Sequence, residues 1–217
     1  MSKKRKMLMI VIFLLMIGAL GGIGFYYWYN SAYFVTTDDA RVDGDLIKVS
    51  PEIAGKLLEL NVDEGDNVSQ DQILGRQEMT NLPDINVDQS IIRAPISGIV
   101  IKKTGHVGEI EAPGQSVATI VDPQKLYVTA DIEETKLARI RQGEKVDINI
   151  DQFEGKIFTG KVKCVGKASN SAFSLLPTST SGTFTKVVQR VPVKIEFDKK
   201  DVELLPGTNA VVKIHIK

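Results

Sequence analysis

Three features of this 217-residue chain are of types that do chemistry: an adjacent acidic pair, Asp38 and Asp39; two histidines, His106 and His215; and a single cysteine, Cys164. Paired carboxylates work as general acid and base when both reach one substrate. Neighbours on a strand point to opposite faces, so these two do not readily share one, and capping a turn or strand end is the expected role. The histidines are far apart, with no Cys or carboxylate at ligand spacing, which argues against a metal site. Cys164 alternates with Val162 in "KVKCVG" and is expected as a buried small apolar side chain. One cysteine also provides no internal disulfide. No serine sits in a nucleophile-elbow pattern, and "GHVGEIEAPG" lacks the strand-to-helix context of a phosphate loop. These residues point away from an enzyme, and no catalytic, cofactor or metal site is expected.

The elements around them are legible from charge and periodicity. Lys+Arg and Asp+Glu each number 27, so no basic face for nucleic acid is expected. The N-terminus carries Lys3, Lys4, Arg5 and Lys6, followed by an uncharged run from Met7 to Tyr29. As a helix that run is roughly 35 Å long, enough to cross a hydrocarbon core of about 30 Å. A cleaved signal peptide has a shorter apolar core ending at a small-x-small site. This run instead closes on Tyr27, Trp28 and Tyr29, side chains suited to a membrane–water interface. An uncleaved anchor over 7–29 is expected. The basic cluster (1–6) would stay cytoplasmic and everything after Asn30 would lie outside.

Beyond the anchor the period is two. Val146, Ile148 and Ile150 alternate with polar residues, as do Val191, Val193, Ile195 and Phe197, and then Val212, Ile214 and Ile216. That is the pattern of half-buried antiparallel strands, and their turn-separated succession predicts a mainly β chain of small barrels or sandwiches. Pro192 lacks a ladder donor, which predicts an edge strand or a late start. "DIEETKLARIRQGEKV" carries Ile132, Leu137 and Ile140 at helical spacing and predicts a helix of about two turns capping a barrel.

One half-motif occurs twice. "SPEIAGKLLELNVDEG" (50–65) and "RAPISGIVIKKTGHVG" (93–108) each place a proline before an Ile-x-Gly step, Gly55 and Gly98, with a later glycine at Gly65 and Gly108. These four glycines are expected at turns. Each half alone leaves an apolar face unburied, so the two must meet to form a core. The pattern resembles the biotinyl/lipoyl fold, with halves over 46–79 and 91–123, a linker and entry strand over 30–45, and a β-barrel domain over 124–217. The strand near Phe34–Val42 is the candidate to complete that barrel.

In carrier enzymes of the lipoyl fold the cofactor is attached to a lysine between the halves. No lysine occurs between Lys56 and Lys102, so no cofactor is expected. "TTDDARVDGDLIKVSPEIAGKL" resembles the entry strand of HlyD-type membrane fusion proteins (periplasmic adaptors), and "IIRAPISGIV" resembles their return strand. "SAFSLLPTSTSGTFTKVVQRVPVKIEF" (171–197) resembles the EmrA-type multidrug-efflux subgroup. The resemblance implies a single-pass adaptor that joins a membrane transporter, for this subgroup a proton-driven drug exporter, and stacks with copies of itself into a ring. The family's coiled-coil hairpin is missing. Only "TNLPDINVDQS" (80–90) joins the halves, too short for two helices and expected as a loop, which leaves contact with an outer-membrane channel in doubt. A non-transport envelope-assembly module on the same scaffold is the alternative. Phe173, Leu175 and Leu176 either plug one end of the barrel or form an exposed apolar patch that docks the transporter, with Gln189 and Arg190 beside them.

Overall fold

The computed structural model describes residues 3–78, 87–173, 188–200 and 202–216. One helix, α1 (Lys3–Tyr33), passes without a break into strand β1 (Phe34–Asp43). Its part Ile12–Tyr33 is long and apolar enough to cross a membrane. The expected linker after residue 29 is therefore corrected: the helix runs on to Tyr33, and the first strand starts at the next residue.

The chain forms two compact units, one of residues 1–40, 129–199 and 209–217, the other of 41–128 and 200–208. The first contains a closed barrel ordered β1-β10-β13-β12-β11-β14. Its other strands are β10 (Tyr127–Glu133), β11 (Lys145–Ile150), β12 (Ile157–Val165), β13 (Arg190–Phe197) and β14 (Asn209–His215). The alternating residues point as their period requires. Ile148, Ile195 and Ile214 have no exposed surface, and each such burial contributes about 1.5–3 kcal/mol.

Three barrel expectations need revision. The helix expected to start near Ile132 is one turn only, α2 (Glu134–Leu137). Ile132 belongs to β10, where it is buried; the strand's own alternation through Val128 and Ala130 outweighs a helical spacing of three apolar residues. Cys164 is exposed, because the register of β12 against β13 shifts between Val162 and Cys164 and turns the following side chains over. Pro192 does not mark an edge, since a closed barrel has none. It is the third residue of β13, its carbonyl accepts the Gly166 N–H at 2.8 Å, and paired positions to β12 begin at Val193.

The second unit follows the duplicated motif. Its strands are β2 (Leu46–Val49), β3 (Gly55–Leu60), β4 (Asn67–Val68) and β5 (Ile73–Gln77), then β6 (Ile91–Arg93), β7 (Gly98–Lys103), β8 (Ile110–Glu111) and β9 (Ala118–Val121). The sheets run β2-β9-β7-β4 and β6-β5-β3-β8. Exchanging each strand of one half for its counterpart in the other turns the first order into the second, so the unit has internal two-fold symmetry. The halves interlock through reciprocal bonds. Gly65 donates to the Val100 carbonyl at 2.8 Å, and Gly108 donates to that of Leu57 at 2.7 Å. Val100 and Leu57 occupy equivalent places, and both are fully buried in the shared core with Leu74, Ile92 and Ile120.

The four glycines divide into two roles. Gly65 and Gly108 sit at φ +96° and +99°, in the left-handed region that disfavours side chains, as turns there require. Gly55 and Gly98 are instead the first residues of β3 and β7, not turns. A Cβ at Gly55 would lie 2.6 Å from the Glu78 carbonyl oxygen, and one at Gly98 would press into the Val121 carbonyl. Between the halves, Val87–Ser90 forms a 3-10 turn rather than plain loop, and residues 79–86 lie outside the described set.

Candidate functional site

The end of the barrel where α1 enters gathers several of the candidate residues. α1 has no basic residue in its last turn. Arg139, just beyond α2, supplies one: its Nη2 donates to the carbonyls of Ser31 at 2.6 Å and Ala32 at 2.8 Å. The Ile216 N–H donates to the Tyr33 carbonyl at 2.9 Å. Three of the carbonyls that a helix end leaves without partners are thereby bonded, two of them by a cation placed where the helix dipole favours it. Phe34 then packs edge-on against His215, with centroids 4.9 Å apart, and the Lys213 ammonium lies 3.8 Å over the same ring. Tyr27, Trp28 and Tyr29 are 69%, 63% and 46% exposed on α1, open to a surrounding medium, and Lys3, Lys4, Arg5 and Lys6 fall at the helix's other end.

Around this end the charges separate by strand. Asp38 of β1, Asp131 and Glu133 of β10, Lys136 of α2 and Arg190 of β13 line a cavity of about 60 Å³. Arg190 pairs with Asp39, and Lys136 with Glu133 at 3.0 Å. The hydrogen bond and charge of Asp39 raise the Arg190 pKa further above its already basic value. Thr37 donates its hydroxyl to the Asp131 carbonyl at 3.1 Å and accepts the Asp39 N–H at 3.1 Å. Asp38 and Asp39 therefore lie within a strand, with Asp39 in an ion pair, rather than capping its end. Beside the ends of β11, β12 and β14, by contrast, the exposed or half-exposed cations Arg141, Lys145, Lys167 and Lys213 outnumber the carboxylates Glu144 and Asp147. His215 bonds Asp147 at 2.7 Å, so the two make a local pair. Among the described residues, no group of three or more His, Cys, Asp or Glu side chains is placed to hold a metal.

The predicted docking residues are only partly brought together. Gln189 precedes β13 and Arg190 begins it, and each bonds the protein's own chain: the Gln189 carbonyl accepts the Glu134 N–H at 2.9 Å, and the exposed Arg190 meets Asp39. Phe173 closes a 3-10 turn (Asn170–Phe173), and Leu175 and Leu176 lie outside the described residues. Sequence reasoning missed the Arg139 clamp and the Asp39–Arg190 pair. Their partners are separated by 108 and 151 positions, and no local spacing signals such contacts.

A second exposed feature lies on the two-fold unit. Leu58, Val107 and Ile110 are 48%, 61% and 75% exposed. They sit on adjacent backbone, since Lys56 pairs with Ile110 and Gly108 bonds Leu57. Such an apolar strip on a strand at the sheet margin suits contact with another protein surface.

Comparison with known proteins resolves what kind of molecule has these two units. The description "RND MFP, barrel-sandwich hybrid domain" matches residues 45–123, and "AAEA-like beta-barrel domain" matches 125–215. YhbJ of Bacillus subtilis (strain 168), which carries the name of an efflux system component, is 35% identical over 216 residues, covering 99% of this chain and 94% of YhbJ. The chain belongs to the membrane fusion protein family. Its resemblance to the EmrA group holds as well. The multidrug export protein EmrA of Haemophilus influenzae is 33% identical over 137 residues, 61% of this chain, although the chain spans only 35% of that protein. The solved periplasmic adaptor EmrA superposes with a TM-score of 0.58 over 85% of this chain and 99% of the other, at 15% identity, a likeness of fold. The names of these relatives are those of an efflux component, a multidrug export protein and a periplasmic adaptor.

Proposed function

We propose that this membrane fusion protein is the adaptor subunit of a multidrug efflux or secretion system, joining a cytoplasmic-membrane transporter to export beyond that membrane. In this reading α1 crosses the membrane once, with Lys3–Lys6 in the cytoplasm and both β units outside, as a positive-inside distribution favours. The near-full-length similarity to an efflux system component carries the reading. The transporter is a proton-driven drug exporter that supplies all the energy; the adaptor does no chemistry. Copies assemble into a ring through the two-fold unit, and the exposed Leu58, Val107 and Ile110 supply an apolar contact for it. Residues 80–90 are too few for a helical hairpin, so the protein works without a hairpin-mediated grip on an outer-membrane channel. The segment bearing Phe173, Leu175 and Leu176, with Gln189 and Arg190 further along the chain, docks the transporter.

Co-expression with a multispan proton-driven drug exporter from the same cell provides the test. The tagged adaptor should co-purify that transporter, and drug efflux should require both. Phe173→Asp should abolish efflux and co-purification while abundance and β content stay unchanged. Recovery of the adaptor without any transporter, with efflux intact in its absence, refutes the function. Loss of folded protein in the Phe173 variant refutes the docking role alone.

A further inference from the structure

The junction between α1 and the barrel fixes where one end of the barrel must lie. No residue separates Tyr33, the end of the helix, from Phe34, the start of β1. Arg139 and Ile216 bond the last helical carbonyls, so the helix is bolted to the barrel rather than tethered by a slack linker. With the apolar run of α1 in a bilayer and Tyr27, Trp28 and Tyr29 at its interface, Tyr33 lies about 6 Å further along the same helix, at headgroup depth, and the strand ends beside it cannot be far from there. This holds whichever side of the membrane the barrel occupies.

Topology identifies those strand ends. β14 finishes at this end, because Ile216 bonds Tyr33. β11 begins there, since Asp147 pairs with Lys213, and β12 finishes there, since Lys145 pairs with Lys161 and the chain then runs on to Val165. Lys145, Lys167, Lys213 and Arg141 therefore share one arc. Arg141, Lys145 and Lys167 are exposed and form no ion pair among the described residues. The same arc carries two carboxylates, Glu144, which accepts the Arg141 backbone N–H at 3.0 Å, and Asp147, which holds His215, and the four cations outnumber them. The more acidic arc, on β1 and β10, is offset by Arg190 and Lys136. A basic arc held at headgroup depth beside aromatic residues is the arrangement that attracts anionic lipid.

We propose that the barrel end carrying Arg141, Lys145, Lys167 and Lys213 is a docking surface for anionic phospholipid headgroups, which sets the orientation of the barrel on the membrane. The proposal rests on reading α1 as a membrane anchor. Each cation near an anionic surface strengthens attachment to it by about fivefold, and the effect fades over roughly 8–10 Å in physiological salt.

The exposed Cys164, near the end of β12 on this arc, provides a reporter. The full-length chain is labelled there with a benzophenone, reconstituted into vesicles of equimolar phosphatidylglycerol and phosphatidylcholine, irradiated, and its lipid adducts are counted by mass. Phosphatidylglycerol adducts should exceed phosphatidylcholine adducts at least threefold. The ratio should fall toward unity in 0.5 M salt and in the triple variant Arg141→Glu, Lys145→Glu, Lys167→Glu. Retained amide protection of the barrel strands shows that this variant is folded; should it not fold, single reversals at each position replace it. A wild-type ratio of one, an unchanged ratio in folded variants, or no lipid adduct overturns the proposal. Resistance to alkaline extraction scores the anchor separately, so a chain that never inserts refutes the anchor instead.

Discussion

Replacing Gly98 with alanine should damage the two-fold unit far more than the same change at its symmetry counterpart, Gly55. An added Cβ at Gly98 would overlap the Val121 carbonyl oxygen and approach its carbon to 2.9 Å and Ile120 Cγ2 to 3.0 Å. None of these can yield easily. β7 is held by β4 on one side and β9 on the other, and Val121 is itself paired to Leu46 across β9 and β2. Relief requires parting a central ladder over a core in which Val100 and Ile120 are fully buried. Overpacking of this kind costs about 1–3 kcal/mol, and a clash against fixed backbone belongs at the upper end. At Gly55 the nearest atom is the Glu78 carbonyl oxygen at 2.6 Å, one residue past the end of β5, where the ladder no longer holds the chain from both sides. About 1 kcal/mol is expected there.

Hydrogen exchange on the full-length chain in detergent resolves the difference. Opening about 3 kcal/mol easier corresponds to amides in 98–103 and 118–121 exchanging on the order of 100-fold faster in Gly98→Ala. Gly55→Ala should raise exchange by about tenfold or less. Equal effects at the two positions, or a larger one at Gly55, would refute the assignment of close backbone approach.

Two further perturbations probe other joints. Tyr127 is pushed up to about 12, first by burial and then by Asp43 and Asp45, the latter accepting its hydroxyl at 3.2 Å. Because the folded value lies above the unfolded one, this contribution is complete below the ordinary phenol pKa of about 10 and is lost as pH climbs through 12. Unfolding midpoints of the second unit should therefore drop between those values, and less steeply in Tyr127→Phe; identical slopes refute the coupling. Arg139→Ala should fray the end of α1, raising amide exchange over residues 30–34 several-fold. Barrel stability should fall by no more than about 1 kcal/mol, because the bonds lost are exposed and water can replace them. Unaltered exchange over 30–34 would show that the clamp does not hold.

What the sequence disclosed and what it hid follow from the range of the interactions. The duplicated glycine motif shows because each half repeats its own local needs, a left-handed turn at Gly65 and Gly108 and a bare backbone at Gly55 and Gly98. The spacing is visible while the two reasons for glycine are not, since one is a φ angle and the other a neighbour 23 residues away. Periodicity finds the buried faces of β11, β13 and β14 because burial alternates with the backbone. It fails at Cys164, where one bulge reverses the alternation, and at Ile132, where a helical spacing overlaps the end of a strand. The end of the barrel at α1 was the least legible part. Arg139 reads locally as the basic close of a short helix, but its side chain completes a different helix whose own last turn has no cation. An absent charge at one helix end and a surplus basic residue elsewhere are each ordinary; only the fold makes them complementary. The same logic extends to Arg141, Lys145, Lys167 and Lys213, scattered over three strand ends and a loop. Their common direction comes from barrel closure, and their relevance comes from a helix that leaves the barrel no slack.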